Sequence, residues 1–112
     1  MISNQEVFDK VVAHARQQGC KAVDEEGVLC MYRDSKGNKC FAGILIPDED
    51  YKPEMEGNTI RRLVMDYNLF SGVDTNLLYD LQGLHDNCHP EVWETKFKDF
   101  ADTRGLVYKE PT

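Results

Sequence analysis

Four cysteines, Cys20, Cys30, Cys40 and Cys88, share a chain of 112 residues with three histidines. Thiol and imidazole together can bind zinc, exchange electrons, or serve as nucleophile and base. Cys30, Cys40 and Cys88 with His85 and His89 hold enough donors for a Cys₂His₂ or Cys₃His set, but none stands at the close spacing of a zinc knuckle. No metal or other cofactor is therefore expected. Cys30 and Cys40 could also bridge if they oppose one another across a hairpin, although a reducing compartment favours the thiols. If Cys40 opened a helix, the free amides there would favour its thiolate. His85 or His89 could then act as base, oriented by Asp86 or Asn87. That reading gives a small thiol- or zinc-dependent enzyme centred on Cys40 and His85. The plainer reading makes these cysteines small buried hydrophobes, with no catalytic residue assigned.

A second cluster is acidic. Between Pro47 and Gly57 lie Asp48, Glu49, Asp50, Tyr51, Glu54 and Glu56. The loop lacks the central glycine and final glutamate of a calcium-binding EF-hand. Pro47-Asp48 with Asp50-Tyr51-Lys52 approaches a metal-dependent nuclease signature, yet both halves fall in one short segment rather than on two strands. The six residues read instead as an exposed interaction surface, in which carboxylates meet a basic partner and tyrosine buries area at little entropic cost. Arg61 and Arg62 follow closely and balance this charge locally. No glycine-rich phosphate loop is present.

Positioning these groups requires a scaffold, and the opening supplies its first element. Ser3 with Glu6 forms a capping box, and Ile2 with Val7 has the spacing of a hydrophobic staple. Val7, Phe8, Val11, Val12 and Ala15 then recur at helical period and Gly19 stops the run, which predicts a helix over Asn4 to Gln18. Val28 to Arg33 and Lys39 to Ile46 read as two strands joined by Asp34 to Asn38. A register centred on Ser35 sets Cys30 opposite Cys40. The apolar run from Cys40 to Ile46 also suits a short buried helix, which period alone does not separate from a strand.

Asn58 can cap a helix that carries Ile60, Leu63, Val64 and Tyr67 inward. Leu69 and Phe70 tuck in after it. Asp74 caps a third helix with Leu77, Leu78, Leu81, Leu84 and Cys88 on one face, and Pro90 suits the first position of a fourth. Val92, Trp93, Phe97, Phe100 and Ala101 form that helix's stripe, Glu94 and Lys98 pair on its outside, and Gly105 ends it. Leu106 to Tyr108 forms a short strand or packs back on the body. The expected fold is a single α+β domain over 1–112: an N-terminal helix, a β-hairpin, then three helices packed on a small antiparallel sheet.

The formal net charge of −7 disfavours nucleic acid as a partner. No apolar run reaches the roughly 18 residues that span a bilayer, and Met-Ile-Ser-Asn-Gln-Glu lacks signal-peptide character. A cytoplasmic protein without a membrane partner is the expectation.

The centre of the chain resembles a family of small uncharacterised proteins encoded by bacteriophages and prophages. The shared pattern is Cys30-Met31-Tyr32-Arg33, then Lys39-Cys40, then Gly43-Ile44-Leu45-Ile46-Pro47-Asp48-Glu49-Asp50-Tyr51, then Met55-Glu56-Gly57. Gln5 to Asp9, Asp80-Leu81-Gln82 and His85-Asp86 are similar as well. Phe41 departs from the small residue expected after the cysteine. The resemblance implies a viral protein working in bacterial cytoplasm and brings no activity with it. Small acidic phage proteins often bind and block host machinery, defence systems included, so a non-enzymatic binder or inhibitor of a bacterial host protein is the first expectation. A binder of a small host metabolite in a pocket between hairpin and helices is a further alternative.

Overall fold

A computed structural model describes residues 3–111. Ser3 accepts the amide of Glu6 while the Glu6 carboxylate returns to the Ser3 amide, so α1 (Asn4–Gln18) begins in a complete capping box. Gly19 closes the helix at φ 71° and donates to the Ala15 carbonyl. The expected staple residue Ile2 lies outside the described residues.

The expected sheet is not there. Among the described residues there is no strand, only isolated antiparallel bridges at Val23–Cys30 and Arg33–Lys39, and the protein is helical rather than α+β. The reason lies in where the backbone donors go. The amides of Tyr32 and Arg33 are both taken by the Glu56 carboxylate, at 2.8 and 3.0 Å. The Lys39 amide goes to the Gln18 side chain and the Ala42 amide to that of Gln82, each at 2.8 Å. Asp34 gathers the amides of Lys36 and Asn38 in the intervening turn. Donors that a ladder would need are committed to side chains.

The register also differs. Arg33 bridges Lys39 and the Cys40 amide donates to the Tyr32 carbonyl, so Tyr32, not Cys30, stands across from Cys40. Past this point the chain coils into a 3₁₀ turn, Gly43–Leu45.

Three further helices follow. α2 (Ile60–Tyr67) is capped by Thr59, one residue later than expected, because the Asn58 side chain donates to the Glu54 carbonyl. α3 (Thr75–Asn87) starts under the Asp74 carboxylate, which accepts the amides of Asn76 and Leu77. Pro90–Val92 makes a 3₁₀ turn that runs into α4 (Trp93–Arg104). Glu94 passes over Lys98 and takes a bidentate pair with Arg16 at 2.8 Å, tying α4 to α1. No terminal strand forms; instead the Gln5 side chain amide receives Val107 N–H and donates to Val107 O.

Two apolar clusters meet on α3. Leu77 and Leu81 join α1, Phe41, Trp93, Phe97 and Ala101, whereas Leu78 joins Cys40, Ala42, Met55, Ile60 and Leu63. The neighbours Cys40 and Phe41 thus face opposite clusters, so the 40–46 segment is the seam between them. Phe70, buried beside Leu69, holds φ at 62°, a conformation that bulky residues adopt only when packing compels it. No helix among the described residues is long and apolar enough to cross a membrane.

Candidate functional site

The acidic loop divides into inward and outward halves. Asp48 pairs with the Arg33 guanidinium at 2.8 Å and lies 3.6 Å from the Lys39 ammonium. Arg33 also donates to the Ile46 carbonyl and stands 4.7 Å over the Tyr51 ring, a cation–π contact. Tyr51 is half-buried rather than freely exposed, and its hydroxyl donates to Glu56 at 2.6 Å. Burial and this bond push its phenol up to about 12. Glu56 accepts three donors at once, from Tyr51 and the amides of Tyr32 and Arg33. Asp48, Tyr51 and Glu56 form a clasp that fixes the loop. Glu49, Asp50 and Glu54 are exposed, and no ion pair occupies them among the described residues.

The thiols lie elsewhere. Cys40 is fully buried, its sulfur accepting the Gly43 amide at 3.2 Å, and burial pushes its thiol up to about 12. It does not open an exposed helix end, so the activation that thiol catalysis requires is missing. Cys88 packs against the α1–α4 cluster, and His89 is exposed at the turn before α4. All four cysteines are free.

What the structure gathers around His85 is Cys30 and Asp86, with donor atoms of all three within 4.8 Å of one another. His85 is fully buried in the apolar α3 face. Its ring stacks on Trp93 at 5.8 Å and meets Phe41 edge-on at 5.1 Å. The Ala22 N–H points at Nε2 from 3.2 Å, so Nε2 is the acceptor and Nδ1 carries the proton that Asp86 receives at 2.9 Å. Both ring nitrogens are therefore engaged. A metal on this trio would have to break one of those bonds, so the set fits zinc poorly.

Asp86 is the hub of the group. Its Oδ1 also accepts Gln82 Nε2 at 2.8 Å, while Gln82 Oε1 holds the Ala42 amide. Burial pushes the Asp86 carboxyl up, but hydrogen bonds from His85, Cys30 and Gln82 outweigh it and hold the group below its ordinary value. Cys30 moves the other way: burial and the adjacent Asp86 push its thiol up to about 11. Near neutral pH the pair is carboxylate and thiol.

Alkylation should follow this order. Brief treatment with iodoacetamide near pH 8, read by peptide mass mapping, should label exposed Cys20 first. Cys30 should lag well behind it, and Cys40 should react only on unfolding. Rapid labelling of Cys40 in the folded protein would contradict its burial.

Asp86 opens on a cleft of about 430 Å³ between α2's start, α3 and the 30–32 segment. Cys30, Asn58, Ile60, Tyr79, Gly83 and Asp86 are among its lining. The sequence pairs His85 with Asp86 readily, but Tyr79 and Gly83 escape it. Their signal is a helix face: positions 79, 83 and 86 recur one turn apart on α3, with a glycine inside the helix. Comparison with known protein families, curated proteins and solved structures finds no match to this chain.

Proposed function

We propose that this chain is a non-enzymatic binding protein that presents Glu49, Asp50 and Glu54 to a basic surface on a partner. The observation that carries this reading is the division of the acidic loop. Three of its predicted surface residues are spent on fixing it, and the three left outward are carboxylates with no cation paired to them among the described residues. Preorganised charge of this kind steers encounter and selects partners more than it adds raw affinity. The resemblance to phage and prophage proteins supports a bacterial host protein as the partner, met in the host cytoplasm, with host takeover or anti-defence as the setting.

The test is native mass spectrometry of the protein recovered from bacterial lysate at low salt. One stoichiometric host protein should be retained, released as salt rises, and lost in a Glu49→Gln, Asp50→Asn, Glu54→Gln triple variant. A partner held equally by that variant, with unchanged salt dependence, would move the contact away from the loop.

A further inference from the structure

We infer that the α2–α3 cleft receives a cationic headgroup, an ammonium or guanidinium on an apolar stem, whose charge meets Asp86 while the stem lies along Gly83 and Tyr79. Two observations, independent of the acidic loop, carry this.

The first is Gly83. A glycine inside a helix costs roughly 1 kcal/mol against alanine, and packing usually explains why it is kept. Here packing does not. A Cβ at Gly83 would meet nothing closer than the Asn87 Nδ2 at 3.9 Å, an ordinary contact, and the backbone does not hold a positive φ there. What the missing side chain leaves is bare helix backbone in the cleft wall. That is the arrangement a ligand needs to approach closely.

The second is the under-used half of Asp86. Its Oδ1 accepts from both His85 and Gln82, no N–H or O–H donor reaches Oδ2 among the described residues, and the one further donor at the carboxylate is the weak Cys30 thiol. The Lys21 ammonium is nearby but donates to the backbone carbonyl of Asp86 at 3.0 Å, making no ion pair with the carboxylate. The Cys30 thiol beside it is neutral, so Asp86 is the charge the cleft presents. One turn beyond Gly83, the Tyr79 side chain is 64% exposed, and Ile60 flanks it. A carboxylate at one end and an aromatic wall at the other suit a cation on an apolar stem.

The same chemistry could arrive as a free amine or as a lysine or arginine side chain of a protein. Amide spectra of the ¹⁵N-labelled full chain, titrated with Nα-acetyl-lysine methylamide, its arginine counterpart and butylamine, separate these. The cationic probes should shift the amides of Met31, Asn58, Gly83 and Asn87 and saturate, whereas the uncharged norleucine analogue should not. Equal affinity for butylamine assigns the cleft to free amines; a preference for the peptide-flanked probes assigns it to a protein side chain. Asp86→Asn should weaken binding about tenfold. Gly83→Ala should weaken it similarly while raising the melting temperature, which excludes misfolding as the cause. Shifts confined to Glu49, Asp50 and Glu54, an equal response to norleucine, or unchanged affinity in Gly83→Ala would each overturn the inference. Loop shifts and cleft shifts fall on different residues, so either site can fail without the other.

Discussion

Gly43→Ala is expected to lower stability by about 3 kcal/mol or more, a loss at the upper end for one added methyl group. An alanine Cβ here would sit 2.1 Å from the Tyr32 carbonyl oxygen and 3.0 Å from its carbon, far inside van der Waals contact. Neither side can retreat. The same Tyr32 carbonyl accepts the Cys40 amide, the Tyr32 amide is held by Glu56, and its hydroxyl donates to the Asn58 carbonyl at 2.5 Å. Opening the 3₁₀ turn to make room would pull Cys40 and Phe41 out of the two clusters they fill. In a chain this size the melting temperature should drop on the order of 12 °C, measurable by circular dichroism. Gly83→Ala is the matched control, since its Cβ makes only an ordinary contact, 3.9 Å from Asn87 Nδ2. A Gly43→Ala protein melting within a few degrees of the parent would show that the 32–43 contact is not rigid.

Glu56→Ala should cost about 3 kcal/mol in urea unfolding, through polar satisfaction rather than packing. Its carboxylate accepts two backbone amides and a phenol. Removal strands the donors in a part-buried site, where each unmet group costs roughly 1–3 kcal/mol, less where water enters. Glu56→Gln should retain part of this, because its one carbonyl oxygen can still accept. Asp48→Asn should cost under about 1 kcal/mol, since Asp48 is 80% exposed and surface pairs contribute little. Equal losses in Glu56→Ala and Asp48→Asn would mean that the clasp does not hold the loop through Glu56.

These two sites also show where the sequence is legible. α1 can be read because its cap, stripe and stop all lie within about twenty residues and agree with one another. The 28–46 region cannot, although its apolar pattern resembles strands. The acceptors that capture its amides, Gln18, Glu56 and Gln82, sit 21 to 40 residues away. Side-chain competition over such distances leaves no trace in local pattern. The acidic loop shows the same limit: six residues look alike as a polar run, and the placement of the distant Tyr32 and Arg33 separates those that bind inward from those that face out. At the cleft, His85-Asp86 stands out by residue type, while Gly83 becomes informative once the empty space beside it is known.

One arrangement has a practical side. Trp93 is the chain's single tryptophan, shielded from solvent and stacked on the imidazole whose Nδ1 donates to Asp86. Indole fluorescence responds to the charge and hydrogen bonding of a stacked imidazole. The protein therefore contains a built-in optical probe of the cleft, one ring removed from it. A cation arriving at Asp86 would polarise His85 and alter the emission of Trp93, with no label attached.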